Sequence, residues 1–475
     1  MTARSIGPAA DATGANSDDI AGPRRKWAIV AVLAAMVLAV LDTALVNVAL
    51  PTIGQSLQVA PASAVRVVTA YQLGLVMTLL PAASLGESLG FRQVFVVGVT
   101  MFGGASVLCA FSPSLPWLIA ARFVQGVGGA AIMSLGVALL RVVVPQDRLG
   151  TAIGWNALAV ALSSAAGPTL GATVLSVAPW PWLFAVNLPI AAGVLLAARA
   201  LPNVKGTGRP VDPVGIALSA CTFALLVVAA EGAPSHPVLA VALFIGAAVC
   251  ATTLLRREAG RRAPLIPLDL LRRRSFRVSV VASALCFAGQ TVGLVALPFY
   301  LQQALGLTPL LTGLYLTPWP LTVALAGPIA GRLANHVSTA RLCLAGGIFL
   351  AIGLGATAFW PSHGRSLTFA MCVVSCGLGF GLFNVPNNRT MFLSAPRARS
   401  AAAGGLQGVA RLTGQTAGAV TMTLLFSLWP LDVAARIGLA FGAALTLAAG
   451  VTSLLHAGAP AVEPKEGRRR THDLV

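Results

Sequence analysis

Three charged side chains stand inside long apolar runs of this chain: Asp42, Arg122 and Arg411. A charge at the centre of a bilayer costs about 2.5 to 3.5 kcal/mol on insertion scales, so one kept there points to an ion or substrate path. At a rise of 1.5 Å per residue, Asp42 falls roughly 12 Å below the end of its run at Leu50. Arg122 falls roughly 7 to 8 Å below the start of its own run at Trp117, which puts the two at similar depth in the outer half of the layer. Burial favours a neutral acid and a neighbouring cation favours the anion, so a carboxylate beside a guanidinium exchanges its proton as access changes. The alternative is a static buried ion pair that fixes helix packing. Arg411 is expected near mid-membrane, roughly 15 Å into its run, as an anion or counter-ion site or as a partner for helix-end carbonyls. Glu231 is expected at the outer end of its run, reaching water.

The elements carrying these charges are helices in a membrane. Of the 475 residues 57% are apolar and 10% charged, with a mean hydropathy of +0.84, whereas soluble domains carry about 25% charged residues. The composition excludes a soluble globule and a disordered chain. Apolar runs of roughly 18 to 25 residues start near Trp27, Val67, Gln93, Trp117, Thr151, Pro181, Val214, Pro237, Val278, Pro309, Ala340, Ser366, Ala401 and Leu431. This predicts an all-α polytopic protein of fourteen spans. Trp27 to Leu50 is too long for a signal-peptide core and reads as the first span. Of the 32 Lys and Arg, Arg122 and Arg411 lie inside spans and only Arg66, Arg365 and Arg436 fall outside. The remainder collect on one side, above all Arg256, Arg257, Arg261, Arg262, Arg272, Arg273, Arg274 and Arg277. By the positive-inside rule both termini are cytoplasmic. Because the formal charge of +18 is spread over short loops and forms no basic domain or stripe, nucleic acid is not expected as a partner. The seven cysteines lie in apolar segments without a CxxC spacing; Cys372 and Cys376 share a helix face, but two thiols alone do not make a metal site.

The chain also repeats. Gly126-Val-Gly128, Pro145 to Arg148, Gly154 and Gly167 recur as Gly377-Leu-Gly379, Pro396 to Arg399, Gly404 and Gly418, offset by 251 residues or one less. Two six-helix halves follow, with the surplus assigned to two inserted helices. The expected organisation is a disordered cytoplasmic tail at 1–26, a six-helix bundle at 27–201, two inserted helices and a basic loop at 202–277, a second bundle at 278–456 and a cytoplasmic tail at 457–475. Parallel repeats of this kind mark transporters that bind substrate between the halves.

Leu41-Asp-Thr-Ala-Leu-Val-Asn47-Val-Ala-Leu-Pro51 resembles the first-helix signature of the fourteen-helix drug/proton antiporters of the major facilitator superfamily. Arg122-Phe-Val-Gln125-Gly126-Val-Gly128-Gly129 resembles that superfamily's fourth-helix motif, in which the Arg is tied to proton coupling. Ser163-Ser-Ala-Ala-Gly167-Pro168-Thr-Leu-Gly171 resembles the fifth-helix antiporter motif, associated with export, and Trp180 to Pro189 resembles the start of the sixth helix. Glu87-Ser-Leu-Gly90-Phe-Arg92 is similar to the cytoplasmic gate motif, with Ala83, Glu87 and Ser88 standing where Gly, Asp and a basic residue are usual. The equivalent loop, Gly331 to Asn335, puts Asn at the acidic position. The resemblance implies the major facilitator fold, with Asp42 and Arg122 in proton coupling.

The motifs also have physical readings. Gly126, Gly128 and Gly129 permit close helix approach, and Gly167-Pro168 should bend its helix. Glu87 has Arg92 or a helix N-terminus as a gate partner. Asn47, Gln290, Tyr300, Asn384, Gln407 and Arg411 are the candidates for lining the substrate path.

The expectation is a proton-coupled exporter of small hydrophobic organic compounds in a bacterial cytoplasmic membrane, monomeric, driven by the proton gradient without a cofactor or metal. Uptake of a solute and a non-transporting receptor or scaffold are the competing readings. No His lies deep in a span and no HExxH or Gly-x-Ser-x-Gly occurs, which argues against an intramembrane enzyme; no Walker loop is present for an ATP-driven pump.

Overall fold

The computed structural model describes residues 22–204, 206–208, 211–259, 268–359, 366–396 and 399–456. Fourteen long helical rods run through these residues. They are α1 (Gly22–Ser56), α2 (Pro61–Leu89), α3 (Phe91–Ala110), α4 (Leu115–Val143) and α5 (Gln146–Val177), then α6 (Trp182–Ala200), which has a turn at Val186. Next come α7 (Pro213–Gly232) and α8 (Pro237–Ala259), then α9 (Arg274–Ala304) and α10 (Pro309–Leu333). The last four are α11 (Thr339–Ala358), α12 (Ser366–Ser394), α13 (Ser400–Leu428) and α14 (Leu431–Ser453). Thirteen of them are long and apolar enough to span a membrane. The exception is α13, whose glycines, threonines, Gln407, Arg411 and Gln415 lower its hydropathy. It packs against α2, α9 and α14, so protein covers much of its surface. The chain is a multi-pass membrane protein.

Helices α1 to α6 pack among themselves, and so do α9 to α14. The halves meet where α2 lies on α13, α5 on α10, and α1 on α9. α7 and α8 pack mainly on each other and touch α2 and α13 from outside. Their apolar side chains Val238, Leu239, Val241, Ile245 and Val249 are exposed, as a lipid-facing surface requires. Glu231 does not stand free in water at the end of α7. It pairs with Arg66 of α2 at 3.6 Å, with 16% of its side chain exposed.

The repeat holds at the level of contacts. A side chain on Gly128 would meet the backbone of Gly98 and Phe102 on α3, and one on Gly379 would meet Gly346 and Leu350 on α11. Gly126 abuts Tyr71 on α2 as Gly377 abuts Trp319 on α10, and Gly167 abuts Ala44 on α1 as Gly418 abuts Ala288 on α9. Both halves use the same glycines at the same crossings, because only a missing Cβ lets the backbones approach so closely.

α1 runs from one end of the bundle, the Gly22 face, to the other, the Ser56 face. At the Ser56 face the halves are joined by Gln302 in the π-helical end of α9. Its Nε2 donates to the Val48 carbonyl at 2.9 Å, and its Oε1 accepts from the Thr52 hydroxyl at 3.3 Å. A hydrophobic cluster containing residues of both halves, among them Leu45, Leu50, Leu297 and Phe299, closes this end.

Candidate functional site

Asp42 and Arg122 meet. Arg122 Nη1 donates to Asp42 Oδ2 at 2.6 Å, and both side chains are fully buried. α1 continues past its apolar run, through Pro51 to Ser56, so Asp42 lies about 21 Å from that helix end, while Arg122 is about 10 Å into α4. The contact itself brings the two side chains to one level of the bundle.

The carboxylate has further donors. Its Oδ1 accepts from Asn187 Nδ2 of α6 at 2.7 Å and from Gln125 Nε2 of α4 at 3.0 Å. Gln125 lies one turn along α4 from Arg122, on the same face. Its Oε1 accepts from Arg122 Nη1 at 2.6 Å, and its Nε2 also donates to Ser106 Oγ of α3 at 2.9 Å. Arg122 Nε reaches the Val67 carbonyl at 3.5 Å, and the guanidinium lies over the Tyr71 ring at 4.2 Å and near Phe184 at 5.6 Å. Four helices of the first half thus converge on one carboxylate, with α2 supplying the Tyr71 ring. Nη2 of Arg122 and Oδ1 of Asn187 have no hydrogen-bond partner, so the cluster is nearly saturated yet keeps spare capacity.

The second half builds the same crossings without any charge. The glycine contacts align α4 with α12 by 251 residues, α3 with α11 by 248 and α1 with α9 by 244. On that alignment Asp42, Ser106, Arg122 and Gln125 correspond to Cys286, Leu354, Val373 and Cys376, all fully buried. The same crossings are therefore built in the second half around an uncharged filling.

α5 connects this cluster to the second half. Gly167 and Gly171 fit against Ala44 and Leu45, just beyond Asp42 on α1. In the same stretch the Pro168 carbonyl packs on Gly313 of α10, and the hydroxyls of Thr169 and Thr317 share a hydrogen bond. α5 runs as one helix through Pro168. α5 thus touches both the segment of α1 that bears Asp42 and α10 of the second half.

The remaining sequence candidates divide. Asn384 Oδ1 accepts from Asn388 Nδ2 at 3.1 Å, and Asn388 Oδ1 accepts from Gln407 Nε2 at 3.3 Å, forming a polar ladder between α12 and α13. Arg411 lies one turn beyond Gln407, where its Nη2 reaches Met133 Sδ of the other half at 3.8 Å. Asn47 and Gln290 are partly buried on α1 and α9. Tyr300 is placed elsewhere: it is buried at the Ser56 face, where its hydroxyl accepts from Arg436 at 3.4 Å. Glu87 is exposed and makes no ion pair with Arg92 among the described residues. What holds that loop is backbone. Gly90 has φ +111°, and Thr207 donates through N and Oγ1 to the Glu87 carbonyl at 2.8 and 3.1 Å. The linker after α6 therefore lies across the motif.

Sequence reasoning missed Ser106 and Tyr71, and quoted Asn187 only as part of a motif. Setting the two halves side by side exposes one of them, since Ser106 is polar where Leu354 is not.

The profile of the Major Facilitator Superfamily matches residues 32–419. The chain belongs to the major facilitator superfamily. It is 41% identical over 417 residues to the uncharacterized transporter YebQ of Escherichia coli K12, covering 86% of this chain and 91% of that protein. It is 30% identical over 380 residues to the riboflavin transporter RibZ of Clostridioides difficile, covering 78% and 82%. The multidrug efflux pump LfrA of Mycolicibacterium smegmatis is 31% identical over 417 residues, covering 85% and 82%. The fold is similar to that of a peptide transporter POT crystallised with sulfate, with a TM-score of 0.67 at 15% identity over 90% of this chain and 94% of that one. Membership of this superfamily makes the chain a transporter and not an enzyme.

Proposed function

We propose that this transporter is a proton-coupled antiporter that exports small hydrophobic organic compounds across a bacterial cytoplasmic membrane, acting as a monomer with both termini inside. The carrying observation is the buried carboxylate of Asp42, held by Arg122, Gln125 and Asn187 in a scaffold whose other half fills the same positions with Cys286, Val373 and Cys376. A buried ion pair is commonly replaceable by apolar side chains at little or no cost in stability. Here the replacement already exists within the same chain, which favours a role beyond packing.

The coupling follows from this arrangement. With the carboxylate ionised, three donors to it hold α1, α4 and α6 together, Ser106 of α3 accepts from Gln125, and Tyr71 of α2 lies under the guanidinium. Protonation removes the charge that Arg122 faces and turns one acceptor oxygen into a donor, weakening the cluster. α5 carries that change to α10 through Pro168, Gly313, Thr169 and Thr317. Alternating access then exposes Asp42 to one side in its protonated form and to the other in its ionised form. Relatives named for multidrug efflux support the direction and the breadth of substrates. The riboflavin transporter favours a second reading, carriage of one polar aromatic solute.

Direction is tested in everted vesicles energised acid-inside, with a panel of cationic, neutral and anionic aromatic compounds. Accumulation that collapses with the pH gradient supports export. Accumulation only in right-side-out vesicles overturns it in favour of uptake.

A further inference from the structure

Arg411 is a second intramembrane cation, and the proton site does not use it. No carboxylate pairs with it among the described residues. Its Nε has no hydrogen-bond partner, and Nη2 has only the Met133 thioether, a weak acceptor on a flexible stem. Its position along α13 says which way it faces. Gly408, one turn earlier, abuts Leu79 of α2, and Leu412 is buried in the core cluster of the first half. Arg411 is therefore presented from the second half to the first, at the seam that must open and close. It is only partly buried, and the Asn384–Asn388–Gln407 ladder lies beside it. Symmetry gives it no structural duty, since Val160 holds its place in the other half.

We propose that Arg411 is a binding site for the acidic group of the transported compound, which is an amphiphilic organic monoanion such as an aromatic carboxylate or phenolate. The guanidinium supplies the forked donors that a carboxylate accepts in pairs. One arginine without a carboxylate neighbour matches one negative charge. Met133 beside it, and Leu79 of α2 packed one turn away at Gly408, suit a hydrophobic body and disfavour a small inorganic ion. Met133 gives way on binding, because its sulfur contact is weaker than a charge-assisted bond. This assignment rests on the seam between the halves being the substrate path, as in the proposed function.

The test uses the purified full chain in detergent micelles, with benzoic, salicylic and 2-naphthoic acids and their methyl esters as probes and affinity read by thermophoresis. The wild type is expected to bind at least one acid about tenfold or more tightly than its ester, the scale of a charge-assisted hydrogen bond. Arg411→Gln brings the acid-to-ester ratio to about one, and Arg411→Lys keeps part of the preference. Monodisperse elution of each variant establishes that it is folded. An acid preference that survives Arg411→Gln overturns the assignment, and so does equal binding of acid and ester or failure of every acid to bind the wild type. Binding needs no gradient, so the two readings fail separately. Gradient-driven export of neutral compounds without Arg411-dependent acid binding leaves the export reading standing and removes this site. Arg411-dependent acid binding without any acid flux overturns the assignment of those acids as cargo.

Discussion

Neutralising the Asp42–Arg122 pair one member at a time and then together separates a coupling site from a packing device. In Asp42→Asn the amide oxygen keeps the bond to Arg122, so its NH2 must face Gln125 and Asn187. Asn187 can turn, since its Oδ1 is unpartnered, whereas Gln125 cannot turn without losing the 2.6 Å bond from Arg122. The larger cost is the guanidinium left at full charge between Tyr71, Phe184 and the Val67 carbonyl. Removing one partner of a buried pair costs about 3 to 5 kcal/mol. Arg122→Gln leaves a buried carboxylate and costs a similar amount. The double variant buries no charge and approaches the filling that Cys286 and Val373 give the other half. Because the double variant should cost far less than the sum of the two singles, a double-mutant cycle on unfolding in detergent should yield a coupling energy of about 3 kcal/mol or more, at or beyond the upper end for contacting residues. Transport driven by a pH gradient in reconstituted vesicles should be absent from all three variants, since none retains the carboxylate beside its guanidinium. Gradient-driven transport restored in the double variant would refute the reasoning and leave the pair a packing device.

Arg122→Lys should lower gradient-driven transport at least tenfold with little loss of folded protein, because an ammonium cannot serve Asp42 and Gln125 with the geometry of a guanidinium; near-normal rates in vesicles would contradict this. Gly128→Val should fail to accumulate in the membrane, since even a Cβ there would stand 2.7 Å from the Gly98 carbonyl and the Phe102 amide, and overpacking costs about 1 to 3 kcal/mol or more; immunoblots of membranes check it. Gln302→Ala removes two bonds of about 0.5 to 1.5 kcal/mol each that close the Ser56 face, and should speed labelling of a cysteine placed at Asn47 by an impermeant thiol reagent. Unchanged labelling would show that the bonds do not hold that face.

The architecture was legible because each span leaves its own mark. Apolar length gave the fourteen rods, and the glycine repeat gave the two halves that the contacts of Gly128 and Gly379 bear out. The ion pair was legible too, since an Asp and an Arg in apolar runs announce their cost. The end of α1 was not, because the helix continues through Pro51 after its apolar run has ended. Ser106 and Tyr71 were invisible for another reason. Serine and tyrosine are ordinary in membrane helices, and which face of α2 or α3 they occupy depends on the packing of glycines on α4. The motif offers Arg92 or a helix N-terminus as the partner of Glu87; among the described residues Glu87 is exposed and unpaired with Arg92, and the stretch around Thr207, distant in sequence, bonds that loop's backbone instead.

The central claim, that Asp42 carries the coupled proton, is most directly tested in everted membrane vesicles holding a respiration-driven, acid-inside gradient followed by a pH-sensitive dye. Compounds from the cationic, neutral and anionic panel are added to vesicles containing the wild type or Asp42→Asn at matched abundance. Dissipation of the gradient by at least one compound in the wild type, and by none in Asp42→Asn, is the predicted result. Equal dissipation in both would contradict it and take Asp42 out of the transport cycle.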